Sequence, residues 1–175
     1  MNLSKAENRA RDFAMAAHWG QKYGEYNYIV HLDNVNNVLN RYKPHYDLTA
    51  DLLVAGYLHD IIEDTRIDFN GVAEYAGYRI ATLVFAVTNE EADTRSESLA
   101  KTYLKIKSNE SALILKLADR ITNVECSIEN KTDHIEKYKK EYPGFREALR
   151  VDRHLASMWN DLDKLLDWKP KAKVK

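Results

Sequence analysis

The run Leu52-Leu53-Val54-Ala55-Gly56-Tyr57-Leu58 leads without a break into His59-Asp60-Ile61-Ile62-Glu63-Asp64. The most apolar stretch of the chain thus ends in an imidazole and three carboxylates. Seven apolar residues suit either a buried strand or a core helix. Their length, and the absence of candidate partner strands elsewhere, predict a central helix. On that helix His59 and Glu63 stand four apart, Asp60 and Glu63 three apart, and Asp60 and Asp64 four apart, which crowds all four onto one side. Acids are unfavourable at a helix C-terminus, and Leu58, Ile61 and Ile62 demand burial. The alternatives are a solvated helix end and a cluster built around a cation; the apolar flanks favour the cation.

Outward from this segment the chain reads as helix throughout. Ser4, followed three residues on by Glu7, predicts a capped helix running to about Trp19, and Gly20–Gly24 predicts a loop. A second helix is expected from near His31 to before Pro44, and Asp47 or Thr49 is expected to cap the central one. Phe69–Ala76 and Tyr78–Val87 read as two short helices parted at Gly77. Asp93–Lys107 reads as a polar amphipathic helix, and Ser111–Cys126 as the second core helix. Asp133–Tyr142 and a further helix from Pro143 to Trp168 complete the series, with Pro143 placed at a helix start. The expected fold is all-α, a single compact helical bundle over residues 1–168, followed by a basic flexible tail at 169–175.

Composition narrows the function classes. The 175 residues hold 26 Lys and Arg against 27 Asp and Glu, a net charge of −1. Four of the lysines lie in Lys169–Lys175, so residues 1–168 carry −5. Such a body does not suit a nucleic acid polymer, which needs clustered cations. The lone Cys126 excludes a disulfide framework and a cysteine zinc cluster, and it fits a reducing, cytoplasmic setting. No apolar stretch approaches the ~20 residues needed to span a membrane.

A cation site needs more donors than His59 and Asp60. Asp119 lies inside Leu115-Lys116-Leu117-Ala118-Asp119-Arg120-Ile121, where an unpaired carboxylate is expensive. It is either a further ligand or half of a buried Asp–Arg pair. His31 follows Tyr28-Ile29-Val30 and is either a ligand or an ordinary packed histidine. His31, His59, Asp60 and Asp119 together make a mixed nitrogen and oxygen set suited to a first-row divalent ion.

Three segments, Tyr28-Ile29-Val30-His31, Leu58-His59-Asp60-Ile61-Ile62-Glu63-Asp64-Thr65 and Lys116-Leu117-Ala118-Asp119-Arg120-Ile121-Thr122-Asn123, fall in order over most of the chain. In this the chain resembles the HD-domain phosphohydrolases, and within them the RelA/SpoT-type hydrolase domains and the small stand-alone alarmone hydrolases. The resemblance implies an all-α fold and Mn²⁺-dependent removal of the 3′-pyrophosphate from guanosine tetra- or pentaphosphate. It implies His31, His59, Asp60 and Asp119 as metal ligands. Glu63 and Asp64 correspond to the acidic pair that activates water and assists the leaving group, and Asn123 to a residue on the nucleotide side of the pocket. No synthetase domain fits in the remaining residues, so the chain resembles the stand-alone hydrolases, and the resemblance implies a small phosphorylated nucleotide as partner.

The substrate side departs from the family pattern. Where the family carries an Arg-Lys pair, this chain has Lys22-Tyr23, and Asn27 and Leu32 replace two prolines. Lys22, Tyr23 and Tyr138 are the remaining candidates for nucleotide contact; the alternatives are an exposed loop lysine for Lys22 and packing for Tyr138. Arg95 and Lys101 read as surface cations. His18 is expected to pack or cap at the first helix end, His45 to lie in a loop, and His134 and His154 to lack ligand partners. Trp19, Trp159 and Trp168 are expected to pack. Two other functions stay open: an HD phosphohydrolase for NADPH or a nucleotide monophosphate, and a non-catalytic nucleotide-binding module.

Overall fold

A capping box starts the chain's first helix. Ser4 Oγ accepts from the Glu7 amide at 3.2 Å, and the Glu7 carboxylate accepts from the Ser4 amide at 3.0 Å, at the head of α1 (Lys5–Ala17). The computed structural model describes residues 3–46, 48–150 and 155–169. Among them, α2 (Ile29–Tyr42) is followed by α3 (Ala50–Leu58), which Thr49 caps by accepting from the Leu52 amide; Asp47 lies outside the described residues. A single turn, α4 (Ile61–Asp64), comes next. Gly77, at φ +90°, parts α5 (Phe69–Ala76) from α6 (Tyr78–Val87), a backbone value that an L-residue adopts only under strain. The series closes with α7 (Arg95–Lys107), α8 (Glu110–Glu129), α9 (His134–Leu149) and α10 (Ala156–Leu165).

The apolar run is indeed a central helix. Every residue from Leu52 to Leu58 is buried, and α3 packs against α1, α2, α6 and α8. Helix α8 is the second axis of the core. It touches α2, α6, α7, α9 and α10, and it buries Leu113, Leu115, Leu117, Ala118 and Ile121. Full burial of one such side chain is worth ~1.5–3 kcal/mol. These two helices therefore fix the frame, and α2 and the α3–α4 junction are positioned against it. None of the described helices is long and apolar enough to cross a membrane.

Four expectations need correction. The Gly20–Gly24 loop holds a two-stranded antiparallel ribbon, β1 (Lys22–Tyr23) and β2 (Tyr26–Asn27), turned at Gly24 with φ +60°. Two-residue strands leave no periodic signature to read. Pro143 does not begin a helix but lies inside α9. Tyr142 and Phe145 are both buried, and their packing holds the turn through the one missing amide bond. The chain leaves the helix only after Leu149. Trp19 does not pack: it is 88% exposed, whereas Trp159 is buried and Trp168 packs against Tyr142 and Arg146. Finally, His59–Asp64 is not one continuous helix face. Helix α3 ends at Leu58, and Asp60, at φ −97° and ψ −1°, sits at the break before α4. Of the tail, only Lys169 falls among the described residues, and His154 lies outside them.

Candidate metal centre

The break after Leu58 is what builds the site. His59 Nδ1 lies 2.9 Å from the Gly56 carbonyl oxygen, which can only accept, so Nδ1 carries the proton and Nε2 faces inward. From the first turn of α2, His31 places its own Nε2 3.4 Å from His59 Nε2. Asp60 Oδ2 stands 3.0 Å from His59 Nε2 and 3.4 Å from His31 Nε2. Asp119, halfway along α8, brings Oδ1 to 3.6 Å from His31 Nε2 and 3.9 Å from His59 Nε2. Donor atoms of His31, His59 and Asp119 lie mutually within 4.8 Å. Both imidazoles are buried.

The donor atoms of His31, His59, Asp60 and Asp119 stand 3.0–3.9 Å apart, a compact nitrogen and oxygen set. With bonds of ~2.1 Å to a shared ion, neighbouring ligand atoms lie ~3–4 Å apart, so the donor set fits a divalent metal. The same groups shift one another's titration. Burial disfavours the His59 imidazolium, yet the Asp60 and Asp119 carboxylates outweigh it and raise its pKa to about 9. Burial likewise opposes ionisation of Asp60, but the two histidines, His59 foremost, hold its carboxyl well below the usual range. For Asp119 burial is overcome first by Lys116 and then by His59.

The surroundings orient these groups. Tyr28, one turn before His31, donates its hydroxyl to Asp60 Oδ2 at 2.5 Å. Burial, and then the Asp60 charge, push the Tyr28 phenol far above its ordinary pKa, so it remains a donor. Lys116 Nζ lies 3.4 Å from Asp119 Oδ2, its side chain nearly buried. Burial works against the ammonium, but Asp119, Asp60 and Glu63 together raise its pKa. Asn123 donates to Asp119 Oδ1 at 2.5 Å, and Tyr23 donates to Asn123 Oδ1 at 2.9 Å. The Tyr23 ring also stands 4.8 Å from the His31 ring, a contact that ties the ribbon to the centre.

His31, His59, Asp60 and Asp119 are thus brought together, with Asn123 and Tyr23 against them. Glu63 and Asp64 turn to the exposed rim, because the break rotates α4 off the α3 axis. Glu63 accepts from the Asn89 amide at 3.2 Å and from Asn89 Nδ2 at 2.7 Å. Asp64 accepts from Gln21 Nε2 at 2.9 Å, and Gln21 in turn meets the buried His18, the cap residue of α1. Lys22 points to Asn27 Oδ1 at 2.8 Å on the exposed ribbon. Tyr138 is half-buried, its ring 5.0 Å from the Arg120 guanidinium. The Asp119–Arg120 pair is not formed; Arg120 bonds Glu141, as does Arg95, while Lys101 bonds the Glu91 carbonyl.

Sequence reasoning passed over Tyr28, Lys116, Gln21 and Asn89. The first two carried a usable signal, since each stands three residues before an expected ligand, on the same helical face. Gln21 and Asn89 reach the site only through loop geometry.

Comparisons with known proteins bear on the family and the fold. The relatives include a guanosine-3′,5′-bis(diphosphate) 3′-pyrophosphohydrolase of Aquifex aeolicus (strain VF5), 30% identical over 91% of this chain and 23% of the relative. Another is the Drosophila melanogaster guanosine-3′,5′-bis(diphosphate) 3′-pyrophosphohydrolase MESH1, 28% identical over 80% of this chain and 77% of that protein. The chain spans a quarter or less of the length of the first curated relatives it matches. Among solved structures, a metazoan ortholog of SpoT, described as hydrolyzing ppGpp and playing a role in starvation responses, superposes with a TM-score of 0.77. It covers 95% of this chain and 97% of its own at 22% identity, a likeness of fold. The HD domain model matches residues 10–144, well over half of the sequence, and the chain belongs to the HD-domain family.

Proposed function

We propose that the chain is a Mn²⁺-dependent phosphohydrolase that removes the 3′-diphosphate from guanosine-3′,5′-bis(diphosphate). The observation that carries this reading is the convergence of His31, His59, Asp60 and Asp119 beside a charged Lys116, in a chain whose relatives are named for that reaction. The HD-domain family implies a divalent metal. His31, His59, Asp60 and Asp119 would hold it, and a bound divalent ion supplies an activated water and offsets phosphate charge.

The remaining chemistry belongs to the chain. Water adds to the phosphorus nearest the ribose, the bond from that phosphorus to O3′ breaks, and diphosphate leaves. O3′ must gain a proton and the incoming water must lose one. In this reading Glu63 and Asp64, exposed carboxylates that accept from Asn89 and Gln21, take and return these protons. Lys116 keeps a positive charge next to Asp119, and Tyr28 fixes the orientation of Asp60. Asn123 and Tyr138 line the nucleotide side. An acidic protein body can bind this polyanion because positive charge is concentrated at the centre.

A second reading is favoured by two contacts. Tyr23 spends its hydroxyl on Asn123, and Lys22 spends its ammonium on Asn27, where the family pattern has an Arg-Lys pair. That favours a nucleotide other than the guanosine compound, such as NADPH or a nucleotide monophosphate. Purified protein with Mn²⁺ is assayed against all three in parallel, with Asp60→Ala as control. Diphosphate release from guanosine-3′,5′-bis(diphosphate), lost in Asp60→Ala, is expected. Turnover of another nucleotide instead supports the second reading, and ligand binding without product by metal-loaded protein indicates a binding module.

A further inference from the structure

Helices α7 and α9 enclose a groove that the centre does not use. It measures about 1030 Å³ and is floored by Leu99, Tyr103, Leu104 and Phe145. Leu104, midway along α7, is 72% exposed. The lining recurs along α7 at positions 96, 99, 100, 103, 104 and 107, and along α9 at 137, 140, 141, 144, 145 and 148. Both are three-turn stripes at helical spacing, so the groove runs ~18 Å along the two helices.

Its rim is basic. Arg95, Lys107, Lys137 and Lys140 border it. The one acid in the lining, Glu141, is already held by Arg95 at 2.8 Å and Arg120 at 3.1 Å. Among the described residues, Lys107, Lys137 and Lys140 have no carboxylate partner. On a body at −5, this is a local excess of positive charge around an apolar floor. At Gly144 a Cβ would meet nothing within 4 Å, so the floor is open at its middle.

From this we infer that the α7–α9 groove is a docking site for an amphipathic helix whose apolar face is flanked by Glu and Asp. The length of the groove and the two facing stripes match a helix laid into it. The unpaired lysines select acidic flanks, which steer association and reject basic helices. This inference is independent of the hydrolase reading.

The test uses the full chain and lactam-stapled peptides of about four turns. One carries Leu at i, i+3, i+4 and i+7 with Glu flanks; its isomer carries Lys flanks. Fluorescence anisotropy should give binding at least about tenfold tighter for the Glu peptide. Lys107→Glu/Lys140→Glu should invert that order. Gly144→Leu, which fills open space, should abolish binding while thermal melting and nucleotide hydrolysis stay as in the parent. Equal affinity for both peptides, no binding of either, or indifference to Gly144→Leu overturns the proposal. So does a concentration-dependent dimer dissolved by Leu104→Glu, which would assign the groove to a second copy.

Discussion

Gly56→Ala is the sharpest probe of how the fold spaces the two histidines. A Cβ at position 56 would stand 2.8 Å from both Asn36 Nδ2 and Asn36 Oδ1, and 3.0 Å from Asn36 Cγ. That is about 0.6 Å short of ordinary contact. Asn36 is fully buried on α2, its Nδ2 donates to the Leu32 carbonyl at 3.2 Å, and its Oδ1 has no partner among the described residues. The amide cannot swing into solvent. Either it gives up the Leu32 bond, at about 1 kcal/mol, or α2 and α3 separate by several tenths of an ångström. Overpacking of this kind costs about 1–3 kcal/mol, partly offset by the ~1 kcal/mol gain in helix propensity. A net loss of about 1 kcal/mol lowers the melting temperature by ~2–4 °C in a chain of this size. His31 lies on α2 and His59 follows α3, so the same separation widens the 3.4 Å gap between their Nε2 atoms. Mn²⁺ affinity should therefore fall about tenfold by calorimetric titration. Asn36→Ala removes the clashing group, so the double variant should recover metal affinity relative to Gly56→Ala alone. An unchanged affinity in Gly56→Ala, or none regained in the double variant, would refute the spacing argument.

Three further outcomes are expected. In metal-free protein His59 titrates near pH 9, above its unfolded value of ~6.5. Its contribution, on the order of a few kcal/mol, is fully present below ~6.5 and lost as pH rises through 9; melting temperatures at pH 6.5 and 9.5 should differ for the parent and not for His59→Gln. Lys116→Met removes the ammonium from Asp119 and should lower hydrolysis by about tenfold or more, with metal content by elemental analysis unchanged. Loss of metal instead would make Lys116 a structural residue. Tyr23→Phe deletes one hydroxyl bond to Asn123 and should shift KM a few-fold with kcat within about twofold. A collapse of kcat would place Tyr23 in the chemistry.

Legibility followed the range of the forces involved. The Ser4–Glu7 box and the Gly77 boundary rest on contacts within a few residues, and both read directly. The apolar content of Leu52–Leu58 requires burial under any fold, so its central place was readable too. Pro143 was misread because local backbone cost was set against the burial of Tyr142 and Phe145, which no local pattern reveals. Within the site, the motif residues His31, His59, Asp60 and Asp119 could be named from spacing and resemblance. The directions of Glu63 and Asp64 could not, because they depend on where α3 breaks at Asp60. Their partners Asn89 and Gln21 come from loops far away in sequence.

The exposure of Trp19 has an optical consequence. Trp159 is sealed in the core and Trp168 lies edge-on to Tyr142, while Trp19 stands in water immediately before the ribbon and beside His18 and Gln21. Its emission should be the reddest of the three and the most open to iodide or acrylamide. Under the proposed function, a nucleotide that reached over the ribbon to Trp19 would shield that one indole and leave the other two unchanged. A blue shift or loss of quenching on adding nucleotide would then read out occupancy in unmodified protein.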